Sequence, residues 1–174
     1  AAFNTLSPGN NFTHNVVNDL CVINSSFKKH EMVRKNFRKW FSLQAGSKLL
    51  RTFVLLPWPH FTGFCDHHLP QIFLKSTFEE VWEKHKDILL RTTASRFRSI
   101  ADVQSWLFRY WQLAKGDFVP LNVNRDGAYF SISDDSLNKI VKTIECQKKS
   151  IVCLNDEEVS SFEAAKERIN AAFR

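Results

Sequence analysis

The last third of the chain carries the pattern that most restricts its fold. Apolar and polar residues alternate over 128–132, as they do in a strand. Apolar residues recur at helical spacing over 136–147, and Asp134 or Asp135 can cap this helix. A short apolar run follows over residues 150–154. A strand, a helix and a strand in this order predict a parallel strand pair. Two parallel strands cannot bury both faces or satisfy their outer edges. We therefore expect an α/β fold in which this βαβ unit belongs to a larger Rossmann-like parallel sheet, completed by chain outside this sequence.

The remainder of the sequence is typical of a folded, mostly helical protein. Of its 174 residues, 44% are hydrophobic and 24% are charged, which excludes a disordered or fibrous chain. This length favours a single domain. The sequence shows no transmembrane run and no leader, and its four widely spaced cysteines predict reduced, mostly buried thiols in a cytoplasmic protein.

Apolar spacing and end signals predict further helices. Ser76-Thr77-Phe78-Glu79 is typical of a capping box, and the strongest helix is predicted to follow a cap near Ser99 and to end at Gly116. We expect an apolar segment over residues 49–56 that ends at the following prolines, and helices over residues 77–86, 99–115 and 158–173. The domain then divides into a helical lead-in over 1–60, a motif-rich region over 61–116, and the βαβ unit with a final helix over 117–174.

A basic amphipathic segment spans residues 28–39. It holds six Lys and Arg side chains against Glu31 alone, and apolar residues recur in it at helical spacing. One interpretation is a solvated surface helix whose apolar stripe is core. The alternatives are a face for acidic membranes, which would place the protein peripherally at the inner face of the plasma membrane, or a phosphate-rich ligand.

The proline-bounded loop over residues 58–70 is rich in aromatic and polar side chains, a composition common at binding sites. Its Asp66-His67-His68 sequence does not favour zinc, because adjacent side chains diverge and no second ligand cluster follows. A histidine there could act as a general base or donate to an anion; the alternative is a loop histidine bonded to the backbone.

Two other places combine suitable polar groups. Arg96 and Arg98 share one face if the segment is extended, and their planar guanidinium groups suit phosphate; the alternative is surface pairing with acidic neighbours. Asn155 and Asp156 follow the second predicted strand, at the end where parallel sheets bind ligands. They suit Mg²⁺ or a ligand hydroxyl, and the alternative is an N-cap of the final helix.

Three of these segments together resemble the third and fourth conserved regions of the Stealth family of hexose-1-phosphate transferases. The three segments are His67-His68-Leu69-Pro70, Thr92-Thr93-Ala94-Ser95-Arg96-Phe97-Arg98-Ser99-Ile100-Ala101-Asp102-Val103-Gln104 and Ile151-Val152-Cys153-Leu154-Asn155-Asp156. The stretch from Lys39-Trp40-Phe41 to Phe61-Thr62-Gly63-Phe64 is also similar to the bacterial members. The first two family regions and the usual aromatic-rich ending are absent, so the resemblance implies the C-terminal part of a larger catalytic domain, inactive by itself.

The resemblance implies transfer of a sugar 1-phosphate from a nucleotide sugar, a UDP-sugar, to a glycan hydroxyl in capsule or cell-surface polysaccharide synthesis. It assigns catalytic roles to His68, Arg98 and Asp102, with Asp102 orienting Arg98 or His68. It also assigns substrate contacts to His67, Arg96, Gln104 and Asn155, and a Mg²⁺ ligand to Asp156. His68, Arg98 and Asp156 are then expected to converge on one cleft.

Two other functional classes remain as alternatives: a basic, aromatic-rich nucleic-acid-binding module, and a scaffold without chemistry. The five tryptophans and the basic segment permit the first. No glycine-flanked aromatic strand motif and no helix-turn-helix supports it, so we expect no nucleic-acid partner.

Overall fold

The structure, a computed structural model, describes residues 2–5, 13–156 and 159–174. These residues divide into two compact units. The helical unit comprises the described residues up to Asp66 together with Gln71–Leu121, and the sheet unit comprises His67–Pro70 and Asn122–Arg174. Within the described ranges, no helix is both long and apolar enough to span a bilayer.

The helical unit contains seven α-helices and one 3₁₀ turn within the described residues. They are α1 (Thr13–Ser26), α2 (Lys29–Lys35), α3 (Phe37–Trp40), the 3₁₀ turn Leu43–Ala45, α4 (Lys48–Leu55), α5 (Lys75–Lys84), α6 (Lys86–Ala94) and α7 (Trp106–Lys115). Helix α7 is central and packs against α1, α2 and α5. Its Leu107, Tyr110, Trp111 and Ala114 have no exposed surface. Gly116 ends it with a φ of 92°, a left-handed conformation that glycine adopts readily, as the sequence predicted.

Aromatic packing fills the core beside α7. Phe3 stacks on Trp40 with ring centroids 4.5 Å apart, and Phe64 lies 4.9 Å from Tyr110. Phe3 and Phe64 also form an antiparallel bridge. At Gly63, whose φ is 147°, a Cβ would lie 3.1 Å from the carbonyl oxygen of Asn4. The loop therefore needs glycine where it approaches residues 2–5.

The basic segment differs from its prediction in two ways. The helix is interrupted at Asn36, which separates α2 from α3. Lys29 is also 1% exposed rather than solvated. Its Nζ donates to the carbonyl oxygens of Leu55 at 2.5 Å and Trp58 at 2.8 Å, which satisfies the ammonium group inside the protein. Burial nevertheless lowers the pKa of Lys29 to about 8.

Several predicted helix ends are wrong. Helix α5 begins after Leu74 without a side-chain cap, so the predicted capping box at Ser76 does not form. A further helix, α6 (Lys86–Ala94), follows, and it was not among the predicted helices. Helix α7 begins at Trp106 rather than near Ser99. Tertiary contacts explain the first shift, because the backbone N–H of Leu74 donates to Oε1 of the buried Gln112.

The sheet unit contains the predicted strand, helix and strand. Its elements are the short helix α8 (Val123–Asp126), strand β1 (Gly127–Ile132), helix α9 (Asp134–Glu145), strand β2 (Ile151–Asp156) and helix α10 (Phe162–Ala172). The strands are parallel, with Gly127 opposite Ile151 and Ile132 opposite Asp156. Ser133, rather than Asp134 or Asp135, caps α9 through a reciprocal bond with Ser136. A larger Rossmann-like sheet stays a prediction.

The two faces of this sheet carry different residues. Phe130, Ile132 and Leu154 pack with the buried side chains of α9 and α10. Because side chains alternate along a strand, Gly127, Tyr129 and Ser131 belong to the opposite face, with their cross-strand partners Ile151, Cys153 and Asn155.

The four cysteines are free, but Cys21 and Cys146 are exposed, contrary to the expectation of mostly buried thiols.

Candidate functional site: a fixed arginine loop and a histidine on the sheet

Residues 95–104, which we call the arginine loop, connect α6 to α7 in the helical unit. Arg96, Phe97 and Arg98 are all exposed at its tip, with Phe97 at 78%. The guanidinium carbon of Arg96 lies 5.4 Å from the centre of the Phe97 ring. The loop thus presents two cations and an exposed aromatic ring to solvent, which suits a phosphate-bearing ligand.

Asp102 holds the two ends of this tip. Its side chain is buried; Oδ2 accepts the backbone N–H of Ser99 at 2.6 Å, and Oδ1 accepts the hydroxyl of Ser95 at 3.3 Å. The family resemblance implied that Asp102 orients Arg98 or His68. The contacts show a carboxylate that bonds to the residues on either side of Arg96–Arg98, so it fixes the backbone from which both arginines project.

The base of the loop is bonded to α6 as well. The hydroxyl of Thr92 accepts the N–H of Val103 at 3.2 Å, and Nη2 of Arg91 donates to the carbonyl oxygen of Ala101 at 3.1 Å. Gln104, a predicted substrate contact, donates its backbone N–H to Oδ1 of Asp19 at 3.0 Å. No sequence motif pointed to Asp19, because it lies far from the loop along the chain.

Asp19 carries a strongly perturbed carboxyl group. It is fully buried on α1, and within the described part of the chain its Oδ2 has no hydrogen-bond partner. Burial raises its pKa, the bond from Gln104 lowers it, and the charge of Asp66 raises it further, to about 8. Asp19 is therefore expected to be protonated at neutral pH.

Asp66 is engaged in ionic and hydrogen bonds with α7. Nη1 of Arg109 lies 2.5 Å from Oδ1, and the hydroxyl of Tyr110 donates to Oδ2 at 2.6 Å. Burial and the charge of Asp66 raise the pKa of Tyr110. Asp66 thus fixes the end of the helical unit's loop next to His67 rather than offering a free metal ligand.

In the sheet unit, the segment His67–Pro70, which we call the histidine loop, lies against strand β1. The exposed ring of His68 packs on Tyr129, with centroids 4.6 Å apart and planes at 30°. Leu69 is buried against Gly127, where a Cβ would overlap with its Cδ1. His67 is half-buried. Tyr129 contacts the His68 ring, and no sequence motif pointed to it because its strand lies about 60 residues further along.

Asn155 and Asp156, at the end of strand β2, lie on opposite faces of the sheet. Both are exposed, but Asn155 pairs with Ser131 on the face that carries Tyr129 and His68. Asp156 lies on the other face and lines a cavity of about 190 Å³ formed mainly by apolar side chains of β2 and α10. The structure therefore brings His68 and Asn155 to one face and places Asp156 on the opposite one.

The N-cap alternative for Asn155 and Asp156 is wrong, because Ser161 caps α10 through the N–H of Ala164. The predicted helix start at Glu158 lies outside the described residues. Asn155 and Asp156 are adjacent strand residues and face opposite sides of the sheet, so their side chains do not converge on one ion. No group of three acidic, histidine or cysteine ligands occurs in the described part of the chain, and the magnesium site at Asp156 stays a prediction. The predicted convergence of Arg98 with His68 concerns both units and stays a prediction.

Comparison with known proteins defines a class. The chain is 38% identical over 165 residues to a capsular polysaccharide phosphotransferase, WcwK, of Streptococcus pneumoniae, covering 94% of this chain and 49% of that protein. It is 34% identical over 176 residues to the exopolysaccharide phosphotransferase cps2G of Lactiplantibacillus plantarum, covering 100% and 51%. It is 40% identical over 144 residues to the receptor polysaccharide phosphotransferase WefC of Streptococcus gordonii, covering 82% and 42%.

These relatives are bacterial phosphotransferases named for polysaccharides, and the chain spans about half the length of the relatives it matches. No family model and no solved structure matches the chain. The resemblance to the Stealth family is confirmed by these relatives, and the chain is a homologue of Stealth polysaccharide phosphotransferases.

Proposed function

We propose that this chain supplies part of the active site of a sugar-phosphate transferase in capsule or cell-surface polysaccharide synthesis. One observation carries the proposal: the chain aligns along most of its length with polysaccharide phosphotransferases. The arginine loop supports it, because Arg96 and Arg98 are exposed on a backbone that partly buried hydrogen bonds hold in place. Preorganised cations of this kind suit phosphoryl transfer, which depends on positioning and charge neutralisation.

In the proposed reaction, the donor is a UDP-sugar and the acceptor is a glycan hydroxyl. The acceptor oxygen forms a bond to the phosphorus that carries the sugar, and the bond from that phosphorus to the bridging oxygen of the diphosphate breaks. UMP leaves with the bridging oxygen, and the acceptor hydroxyl loses its proton. The product is a phosphodiester between the sugar and the glycan.

Arg98 is proposed to bind the diphosphate, since a guanidinium group can donate two parallel hydrogen bonds to phosphate oxygens. The exposed position of Arg98 and the bonds of Asp102 to the backbone around it support this role. Arg96, beside Phe97, is proposed as a second phosphate contact.

His68 is proposed to accept the proton of the acceptor hydroxyl. Its ring is exposed and packs against Tyr129, so its plane is oriented while its edge is accessible. Asn155 lies on the same face of the sheet and is proposed to bind a sugar or acceptor hydroxyl. Asp156 lies on the other face, so we assign it no step in this reaction.

The test is UMP release from a panel of UDP-hexoses by the natural full-length protein and its Arg98→Lys variant. Lysine keeps the charge but loses the two-pronged donor, so turnover is expected to fall at least about tenfold, about 1.4 kcal/mol. Arg34→Lys, at an exposed position of α2, is the matched control. Turnover of Arg98→Lys above about half that of the parent, with unchanged donor dependence, would contradict the phosphate-binding role.

We also propose that the helical unit contacts an acidic membrane surface through α4. Leu50, Phe53 and Val54 share one face of this helix and are 71%, 51% and 64% exposed. Trp58, which follows the helix, is 58% exposed. Exposed apolar and aromatic side chains beside basic residues are typical of helices that lie in the lipid interface.

The charges around α4 favour anionic lipid. The exposed basic residues of this region are Lys28, Arg34, Lys35, Arg38, Lys48 and Arg51, and Glu31 is its one acidic residue in the sequence from 28 to 58. Each such cation contributes on the order of 1 kcal/mol near an anionic surface. Leu50→Ser with Val54→Ser should reduce co-sedimentation with phosphatidylserine vesicles. Ile72→Ser, at an equally exposed site elsewhere, should leave it unchanged, and binding that ignores both salt and lipid charge would disprove the proposal.

A further inference from the structure

Helix α1 lies outside the three motifs, yet consecutive side chains on it hold the arginine loop. Nδ2 of Asn18 donates to the carbonyl oxygen of Ile100 at 2.8 Å and to that of Asp102 at 2.8 Å. Oδ1 of Asp19 accepts the N–H of Gln104 at 3.0 Å. Two residues of α1 thus bond to three alternate residues of the loop, more than 80 positions away in the chain.

These contacts complement those that the loop makes with itself. The Asp102 carboxylate bonds toward Ser95 and Ser99 at the tip, while the Asp102 carbonyl bonds to Asn18 at the base. Asp102 therefore connects the arginine-bearing tip to α1. We propose that Asn18 and Asp19, which we call the α1 clamp, are positioning residues: they determine the position of the loop backbone that carries Arg98. This inference rests on the proposed phosphate-binding role of Arg98.

Apolar packing contributes little to holding the loop tip. Phe97 and Ile100 are both 78% exposed, so the side chains around Arg98 bury little surface. Val103 anchors the base of the loop in the core, and the position of the tip then depends on the polar contacts of the α1 clamp and of α6. A displacement of about 1 Å at a catalytic group can reduce turnover about 100-fold. Loss of the clamp is therefore expected to affect activity more than stability.

The first experiment compares Asn18→Ala with Asn24→Ala. Asn24 is a matched control, because it is also half-buried on α1 and also bonds to a distant loop, at the N–H of Phe61 at 2.8 Å and its carbonyl oxygen at 3.0 Å. Both variants lose similar hydrogen bonds, so similar losses of unfolding free energy are expected. In the natural full-length protein, Asn18→Ala should lower kcat/KM for UMP release at least about tenfold, and Asn24→Ala less than about twofold.

A double variant separates positioning from general destabilisation. If Asn18 acts through Arg98, Asn18→Ala in the Arg98→Lys background should cost much less activity than it does alone, because the interaction it positions is already lost. Equal losses in both backgrounds would overturn the clamp. Hydrogen exchange should also accelerate at the amides of Ser99 and Gln104 in Asn18→Ala and not in Asn24→Ala.

The outcomes distinguish the clamp from the proposed function. If Arg98→Lys loses activity but Asn18→Ala behaves like Asn24→Ala, the clamp is wrong and the function stands. If Arg98→Lys keeps activity, the phosphate-binding role fails, and the positioning role fails with it. If Asn18→Ala does not fold, Asn18→Ser, which retains one donor, takes its place with the same expected direction.

Discussion

Replacement of Asp19 by asparagine tests the buried carboxyl on α1 through the pH dependence of stability. Asparagine keeps the oxygen that accepts the N–H of Gln104 and removes only the ability to ionise. Asp19 has no exposed surface, and burial raises its pKa from 3.8 to about 8 despite the bond from Gln104. Its ionised form is therefore disfavoured in the folded protein.

The direction follows from proton binding in the two states. Between the unfolded pKa of 3.8 and the folded pKa of about 8, unfolding releases the Asp19 proton, so the stabilising contribution of protonation is lost as pH rises through this window. The slope is about 1.4 kcal/mol per pH unit, or about 3 kcal/mol between pH 5 and pH 7. The Asp19→Asn variant does not lose unfolding free energy in this way, because asparagine does not ionise. Its stability relative to the parent should rise by that amount across the interval.

The assay is urea denaturation of both proteins at pH 5, 6 and 7. All other groups titrate alike in the two proteins, so the difference between their unfolding free energies isolates Asp19. Asp87→Asn, which changes an exposed carboxyl on α6, controls for the loss of one negative charge. A parent-to-variant difference constant within about 0.5 kcal/mol from pH 5 to pH 7 would refute the reasoning.

Three further variants test contacts elsewhere. Gly127→Ala should destabilise the sheet unit by about 1–3 kcal/mol in thermal denaturation because its Cβ overlaps with Leu69; Leu69→Ala should relieve that overlap, and an equal cost in both backgrounds would contradict it. Glu80→Gln should cost about 2 kcal/mol at pH 7. Burial raises the pKa of Glu80, but the hydrogen bonds and charge that Lys115 and Lys84 supply lower it to about 2. This stability is present above the unfolded pKa of 4.5 and is lost as pH falls toward 2, so a loss that persists at pH 2 would argue against the ionic contribution. Lys29→Met should cost about 2–4 kcal/mol in urea denaturation because buried carbonyls lose their donor, whereas the exposed Lys28→Met should stay within about 0.5 kcal/mol; equal costs would contradict the burial argument.

Local patterns in the sequence were sufficient for several parts of the fold. Alternation over β1 and helical spacing over α9 predicted the parallel pair, because strand and helix periodicities depend on neighbouring residues only. Gly116 predicted the end of α7 because a left-handed residue is a local requirement. The motifs also predicted the family, since three segments in the right order are specific without any knowledge of their contacts.

The positions of helix ends and the burial of charges depended on distant residues. Lys29 looks like part of a solvated basic face, but carbonyl oxygens at and after the end of α4 and the ring of Phe3 stabilise its buried ammonium group. Leu74 precedes α5 because Gln112 accepts its N–H from another helix. Side-chain bonds across such separations leave no periodic signal in the chain.

The candidate site likewise combines features that follow from local sequence with features that depend on distant residues. The sequence by itself predicted His68, Arg98, Asp102 and Asn155 as site residues, because their residue types and motif context are local. The tertiary structure decided that Asn155 shares the His68 face while Asp156 does not, since strand register determines which face a side chain occupies. It also decided that Asn18 holds the arginine loop, because the fold brings α1 against α7 across more than 80 residues of chain.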